Sequence, residues 1–250
     1  WNYQLGIEAK RIGLFDNALK FFTTSKELLT PDHWETRREQ SVKLYANLGE
    51  CEYLTGHYEQ SEMHLTEALQ HAETKLEKLM INNLKTVLYI ESDNPTIGLE
   101  AGLAGFQVAN LKISAYPKKS QLLKEYLLLK WALRHMSDQD LLQHPPTNSK
   151  EIDILIHLII NMTASAFLLN PNLTGILLMK GLRLQLKYGA TSKSGMVLIN
   201  YAMLLNAGFT NIKEATRFGK LAIIVADNQE SIYIKGHTYY VYGVFISHWT

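Results

Sequence analysis

The sequence has a single cysteine, Cys51, and nearly equal numbers of positive and negative side chains. One thiol can form neither a disulfide framework nor a thiolate metal cluster, and a reducing, cytoplasmic setting fits this usage. The 25 Lys and Arg residues against 24 Asp and Glu residues leave a net charge of +1. Such a balance provides no overall field for DNA, RNA or an anionic membrane, so neither nucleic acid nor a membrane is expected as a partner.

The motifs of the common ATP-dependent and hydrolytic enzymes are also missing. The sequence contains no Gly-xxxx-Gly-Lys-Ser/Thr phosphate loop, no His-Arg-Asp or Asp-Phe-Gly kinase motif, and no serine in a nucleophile elbow. We also expect no secretory signal peptide. We therefore expect no catalytic residue, no cofactor and no metal in this chain.

The histidines do not predict a metal site. His64 and His71 lie seven residues apart, which is about 10 Å along a helix, too far for one zinc ion to bridge. Asp153 and His157 have the spacing of one helical turn and could form a buried hydrogen-bonded pair or a pH-sensitive switch. A basic cluster around a proline turn is interpreted as a solvated face; it comprises Lys112, Lys118, Lys119 and Lys124.

The sequence has the periodicity and the helix starts of an all-helical protein. Apolar residues recur at spacings of three and four, sustained strand alternation is missing, and the breaks are short, which predicts an all-α fold of about thirteen helices. Thr30 and Asn170 each precede a proline suited to the first helical position. Asn148 and Asn211 each have a glutamate three residues later, the spacing of an N-terminal cap. The apolar run Ile152–Leu169 is predicted to be a buried central helix, not a membrane span.

Internal repetition is clearest in the first half of the chain. Two segments share the same internal offsets: Leu5, Gly6, Phe15, Ala18, Phe22 and Ser25 in the first, and Leu48, Gly49, Tyr58, Ser61, Leu65 and Ala68 in the second. A glycine on the first helix lets the second approach closely, and small residues suit the places where backbones cross. This is the tetratricopeptide (TPR) pattern, although Ala18 and Ser61 are 43 residues apart, where a TPR unit usually spans 34.

Weaker repeats follow. Gly98, Gly102 and Gly105 take the places of Ala18, Phe22 and Ser25, and Gly98 follows Ser61 by 37 residues. A later segment has the same steps of three and four residues; it comprises Ile212, Ala215, Gly219 and Ala222. The pattern predicts a right-handed α-solenoid of TPR-like helix-turn-helix repeats forming one domain over 1–250, with clearer units in 1–110 and divergent ones in 118–250.

From Leu5 to Trp249 the order of segments resembles the helical-repeat region of large bacterial multidomain signalling proteins. The resembling stretches are Gly98–Leu103, Leu184–Gly189, Tyr201–Leu205, Glu214–Ala222 and His248–Trp249. In that family an N-terminal Ser/Thr-kinase-like domain is often present, a P-loop ATPase module precedes the repeats, and a GAF domain and a histidine kinase or similar output follow them. The resemblance implies ATP binding and kinase activity for a parent polypeptide, with none of those residues in this chain.

The ends of the sequence fit such a parent. The chain opens on Trp1 within an apolar pattern and closes on Thr250 without a turn signal, so we expect a segment of a longer protein. Apolar surface exposed at the C-terminal end could then produce a homodimer.

The expected function is a non-catalytic interaction and signal-relay scaffold whose partners are proteins or peptides, first of all the neighbouring ATPase and kinase domains. Some TPR proteins bind the C-terminal carboxylate of a peptide with Lys and Asn residues on their first helices. The corresponding positions here are Tyr3, Ile7, Ala46 and Glu50, so this carboxylate clamp is not expected. The alternative is a domain that senses a small-molecule or peptide effector. Tyr239, Tyr240 and Tyr242 are the candidate ligand-facing aromatic residues for that alternative, and ordinary packing between helices also explains them.

Overall fold

A computed structural model describes residues 1–249, and over these residues the protein is all-α. This part of the chain has fourteen α-helices and one 3₁₀ turn, and extended pairing is limited to a single bridge between Pro146 and Ala190. The chain divides into two compact units, residues 1–112 and residues 113–250. The division falls between the clearer and the divergent repeats of the sequence.

Unit 1 is built from three helical hairpins. Its helices are α1 (Asn2–Arg11), α2 (Phe15–Glu27), α3 (His33–Thr36), α4 (Arg38–Leu54), α5 (Tyr58–His71), α6 (Lys75–Glu91) and α7 (Pro95–Val108). α1 packs on α2, α4 on α5, and α6 on α7, while α2 also contacts α4, and both α4 and α5 contact α6. The first hairpin therefore packs on the second, and the second packs on the third.

The same hydrogen bond ends the first helix of every hairpin. The backbone N–H of Leu14 donates to Ala9, that of His57 to Glu52, and that of Asn94 to Tyr89. Each bond spans five residues, as in a Schellman cap, and requires a left-handed residue just before its donor. Gly13, Gly56 and Asp93 occupy that position with φ of 81°, 85° and 60°. The repeat steps of 43 and 37 residues predicted from side chains thus recur in the backbone.

Asp93 is the exception among these left-handed residues, because a side chain disfavours this conformation and glycine does not. We expect Asp93→Gly to raise the free energy of unfolding by about 0.5–1 kcal/mol. Gly56→Asp, the reciprocal change, should lower it by a similar amount, since a β-carbon at Gly56 would meet no atom within 4 Å. Urea unfolding followed by circular dichroism measures both. If both variants changed the free energy of unfolding in the same direction, the backbone explanation would be contradicted.

Unit 2 is arranged around one helix whose central part is fully buried. Its helices are α8 (Lys119–Leu133), α9 (Asp138–Leu142), α10 (Lys150–Leu169), α11 (Pro171–Tyr188), α12 (Ser194–Ala207), α13 (Ile212–Asp227) and α14 (Ile232–Phe245), followed by the 3₁₀ turn Ser247–Trp249. Every residue of α11 from 173 to 182 is buried, and α8, α10 and α12 pack around it. Gly175 faces Leu122 of α8 and Gly181 faces Ile159 of α10, so both neighbours approach the α11 backbone closely.

Helix starts were predicted with mixed success. Asn170 accepts hydrogen bonds from the backbone of residues 172 and 173, which confirms the predicted start of α11. Asn211 was predicted to form a reciprocal cap with Glu214; it accepts a hydrogen bond from the Glu214 backbone, but the Glu214 carboxylate accepts from Arg217 instead. The prediction for Asn148 is wrong by one residue, since Ser149 caps α10. Thr30 starts no helix, because Pro31 lies in a turn before α3.

α10 covers the apolar run that the sequence singled out. It is the one helix among the described residues with the length and composition of a membrane span. One face is buried against α11, through residues such as Leu158 and Met162, while Phe167 and Leu168 at its C-terminal end are exposed. The helix is therefore partly buried, on the side that meets α11.

Candidate functional site

The repeat residues interlock within the first two hairpins. A β-carbon at Gly6 would lie 2.6 Å from the Phe22 ring, and one at Gly49 would lie 2.6 Å from Leu65. Both pairs are 16 residues apart, as the repeat requires. The Ser61 hydroxyl donates to the Gly49 carbonyl at 2.7 Å, which ties the crossing point together.

The other residues of the pattern divide by burial. Ala18, Leu48 and Ala68 are fully enclosed, and Phe15 and Ser25 are half-buried. Leu5 and Tyr58 are exposed, at 40% and 39%, so they do not fill gaps between helices. Burial at the Leu position therefore differs between the two hairpins, whereas the glycine and the residue 16 positions later are buried in both.

The third hairpin keeps the same crossing point with its residues exchanged. A β-carbon at Gly98 would lie 3.2 Å from the carbonyl oxygen of Thr86. Thr86 precedes Gly98 by 12 residues, the spacing of Gly49 and Ser61. Gly102 and Gly105 are also buried on α7. Here the second helix supplies the small residues, so its backbone comes close to α6.

In the later segment the small residues serve another contact. Ala215 and Ala222 are buried, but a β-carbon at Gly219 would lie 2.8 Å from the ring of Tyr242 on α14. Gly219 thus faces the following helix. The α12–α13 pair is held elsewhere, by the edge-to-face contact of Tyr201 with Phe218 at 4.9 Å.

The three C-terminal tyrosines do not converge on one cavity. Tyr242 packs on Gly219, and the Tyr239 hydroxyl donates to Asp227 at 3.0 Å at the end of α13. Tyr240 is 64% exposed. Ordinary packing between helices accounts for Tyr242, and the other two lie at the surface.

The first helices of unit 1 carry a connected polar surface. Lys10 of α1 donates to Asn47 and to Glu50 of α4, both at 2.6 Å, and the Asn47 amide donates to the Tyr3 hydroxyl at 3.3 Å. Lys43 lies one turn before Asn47 and is exposed beside Glu39. We call these residues the first-helix surface: Tyr3, Lys10, Lys43, Asn47 and Glu50. Lys10 is neutralised by Glu50, unlike the lysine of a carboxylate clamp.

A second polar network joins three helices of unit 1. The His64 Nδ1 lies 2.7 Å from the buried Glu52 carboxylate, and its Nε2 lies 2.7 Å from the Lys26 ammonium. This arrangement fits a neutral imidazole that donates to Glu52 and accepts from Lys26. His71 is engaged separately, stacked on Trp34 with ring centroids 3.9 Å apart. The two histidines therefore hold helices together by different contacts, and neither needs a metal.

Unit 2 has its own polar cluster at the start of α12. Ser192 Oγ lies 3.2 Å from His157 Nε2 and donates to Asp153 at 3.3 Å. Asp153 also approaches that same His157 nitrogen, at 3.9 Å. A serine-nucleophile relay needs the carboxylate on the opposite ring nitrogen, so this geometry does not build one. A cavity of about 620 Å³ adjoins the cluster, lined among others by Thr147, Ser149 and Lys150.

Protonation of His157 in this cluster, and of His237 on α14, opposes folding. Burial lowers the pKa of His157 and of His237, and the nearby Lys193 ammonium lowers both further, while Asp153 partly offsets this at His157. The unfolded chain therefore binds more protons than the folded one as the pH falls through about 6.5. Stability that is complete above that pH is lost below it.

We accordingly expect the free energy of unfolding to fall between pH 7 and pH 5, and the double variant His157→Gln/His237→Gln to lose much of that dependence. Urea titrations at several pH values provide the measurement. Glu77 of unit 1 affects the free energy of unfolding only at a lower pH than these histidines do. Burial opposes its charge, but hydrogen bonds from Arg38 and the backbone outweigh burial and lower its pKa to about 2. An unchanged pH slope in the double variant would show that other groups cause the loss.

Cys51 is enclosed in α4, with no exposed surface, and burial raises the pKa of its thiol to about 12. Only the thiolate reacts with disulfide reagents. We expect the native chain at pH 8 to react at least about 100-fold more slowly than the urea-unfolded chain, because labelling requires opening. Met63→Cys in a Cys51→Ser background, at a position 69% exposed, is the matched reactive control. Comparable rates for the Cys51 thiol and for the thiol of the Met63→Cys control would contradict the burial of Cys51.

Comparisons with known proteins do not place the chain in a family. No protein-family model matches it, and no curated protein matches its sequence. Within residues 1–249 no group of three or more His, Cys, Asp or Glu side chains is placed to hold a metal ion.

Proposed function

We propose that this chain is a non-catalytic scaffold for protein interaction and signal relay in a bacterial signalling ATPase or kinase, folded as a right-handed solenoid of TPR-like hairpins. The observation that carries the proposal is the recurrence of one Schellman-capped hairpin at steps of 43 and 37 residues in unit 1. The absence of phosphate-loop and kinase motifs from the sequence supports a role without catalysis.

The first-helix surface is the proposed contact for a protein or peptide, among them the neighbouring ATPase and kinase domains. Side chains of α1 reach α4 across the boundary between the first two hairpins, as the contacts of Lys10 with Asn47 and Glu50 show. Small changes of angle between successive hairpins add along such a stack, so it can pass a movement from one domain to another. The relay would act in a reducing, cytoplasmic setting.

The test is capture of the separately produced ATPase and kinase domains of the parent polypeptide by the immobilised 250-residue chain, with and without nucleotide. We expect nucleotide-dependent capture, weakened about tenfold by Lys43→Glu. Lys20→Glu is the matched control, since Lys20 is also exposed but lies on α2, the second helix of its hairpin. If neither domain is captured in either condition, the relay proposal fails.

One observation favours the effector-sensing alternative, at a place other than the C-terminal tyrosines. The cavity of about 620 Å³ in unit 2 is lined by hydroxyl groups and Lys150, with His157 and Lys193 next to it. Two lysines and a histidine against Asp153 suit a small carboxylate or phosphate. Thermal unfolding with citrate or inorganic phosphate is the test. A rise in Tm that Lys193→Met removes is expected, and no rise with either anion would exclude this class of effector.

A further inference from the structure

The outer side of α8 has an exposed apolar stripe. Leu123 and Leu127 are each 58% exposed and Trp131 is 66% exposed, at successive spacings of four residues. With Leu128 they line a shallow groove of about 650 Å³ that also includes Ser120 and Lys124. We call these six residues the α8 face. A contiguous apolar stripe on a surface helix is a common mark of an interaction site.

The charges around this stripe have one sign. Lys119 and Lys130 lie along its edge, Lys124 lies within it, and no described side chain is ion-paired with Lys124. Glu125, the only carboxylate on α8, points the other way and is buried between Lys180 and Arg183 of α11. The α8 face therefore offers apolar contacts and uncompensated positive charge together.

Trp131 is held ready for contact. The Arg134 guanidinium lies over one face of its ring, 3.9 Å from the centroid, and donates to the Trp131 carbonyl at 2.9 Å. The ring is therefore an ordered anchor that loses little freedom on binding. Trp and Arg are the residues that most often dominate binding at interfaces.

We propose that the α8 face binds an amphipathic helix of a partner protein, one whose apolar stripe is flanked by Glu or Asp. Ridges spaced at three and four residues accept the ridges of another helix. The backbone of α8 is satisfied within the helix and offers no edge for a strand. Carboxylates on the partner would pair with Lys124 and with the lysines along the edge.

Two other occupants fit less well. A second copy of this face would set lysine against lysine with no carboxylate to pair them, which opposes dimerisation through it. A bilayer would have to accommodate the Lys124 ammonium within the inserted stripe, which is costly. An acidic helix satisfies the apolar residues and Lys124 together.

This inference rests on the proposed scaffold function and assigns it a surface in unit 2 and a partner chemistry. The test uses a displayed library of helical peptides with fixed apolar positions and flanking positions randomised among Glu, Lys and Gln, selected on the full chain. We expect the selected peptides to be enriched in Glu at the flanks. Enrichment of Lys or Gln, or no enrichment, would overturn the proposal.

Variants then locate the binding. Trp131→Ala should weaken the best peptide by about 30-fold or more, measured by fluorescence anisotropy. Lys124→Glu should weaken it and allow binding of the same peptide with its Glu residues changed to Lys. Leu168→Ala is the matched control, because Leu168 is 74% exposed on α10 outside the α8 face. Equal affinity of all three variants would exclude this site, provided that circular dichroism shows each variant folded.

The remaining occupants give distinct results. If the chain sediments with vesicles of phosphatidylcholine and phosphatidylserine and Trp131→Ala abolishes this, the occupant of the α8 face is a membrane and not a helix of a partner protein. If the chain forms a concentration-dependent dimer that Trp131→Ala dissociates, the occupant is a second copy of this chain. Failure of the relay proposal looks different: the unmodified chain then captures neither the ATPase nor the kinase domain, whereas peptide binding to the α8 face is measured without those domains.

Discussion

Replacing Gly49 with alanine is expected to lower the free energy of unfolding by about 2 kcal/mol. The added β-carbon would lie 2.6 Å from Leu65 and 3.2 Å from the carbonyl oxygen of Ser61. Leu65 is fully buried and cannot turn toward solvent, and the Ser61 carbonyl belongs to the α5 backbone. The hairpin must therefore open slightly, which loosens the contacts along both helices.

The sign of this effect separates packing from helix propensity. Alanine favours a helix over glycine by about 1 kcal/mol, so the same change at an unobstructed site should stabilise the chain. Gly236 on α14 is that site, because a β-carbon there would meet no atom within 4 Å. We expect Gly236→Ala to raise the free energy of unfolding by about 0.5–1 kcal/mol. Urea unfolding of both variants gives the comparison.

A double variant tests whether Leu65 is the obstacle. Leu65→Ala alone should cost about 2–5 kcal/mol, because it leaves a cavity between α4 and α5. In Gly49→Ala/Leu65→Ala the new methyl group occupies part of that cavity, so the combined loss should fall short of the sum by about 1 kcal/mol. Additive losses would mean that the two residues do not meet in the folded chain.

The features that the sequence predicted best are those set within one hairpin. The offsets of Gly6 to Phe22 and of Gly49 to Leu65 predicted which helices cross and where. They could be found because both partners lie within about 16 residues, so one repeat contains the whole contact. The left-handed residues at 13, 56 and 93 recur for the same reason, since the turn is part of the repeat.

Contacts between distant segments were not predictable from pattern alone. Gly219 has the spacing of a hairpin residue, yet it faces Tyr242, because a small residue fits any neighbour that approaches it. α8 is apolar on both sides, so periodicity could not tell its buried face from the stripe around Trp131. The Lys26–His64–Glu52 network joins three helices and leaves no periodic signal.

The ion cluster between α8 and α11 is the second place where a large effect is expected. Glu125 accepts from Lys180 at 3.1 Å and from Arg183 at 2.7 Å. The side chains of Glu125 and Lys180 are 8% and 11% exposed, so the pair lies almost entirely out of water. Such a pair adds little net stability, but removing one partner strands the other charge.

We therefore expect Glu125→Ala to lower the free energy of unfolding by about 3–5 kcal/mol. Asp138→Asn is the matched control, because the ion pair of Asp138 with Arg217 is solvent-exposed and should contribute less than about 1 kcal/mol. Urea unfolding of the two variants measures the contrast. A loss for Glu125→Ala no larger than that of the control would mean that water reaches Lys180.

The replacement Glu125→Leu/Lys180→Met distinguishes a need for charge from a need to avoid a stranded one. Leucine and methionine fill similar volumes and leave no buried ammonium, so most of the stability lost in Glu125→Ala should return. Arg183 is 31% exposed and can turn its guanidinium to solvent in this variant. If the double variant is as unstable as Glu125→Ala, the carboxylate itself orients α8 on α11. The affinity of the α8 face for an acidic helix should then fall in both variants, because the stripe would no longer be held in one place.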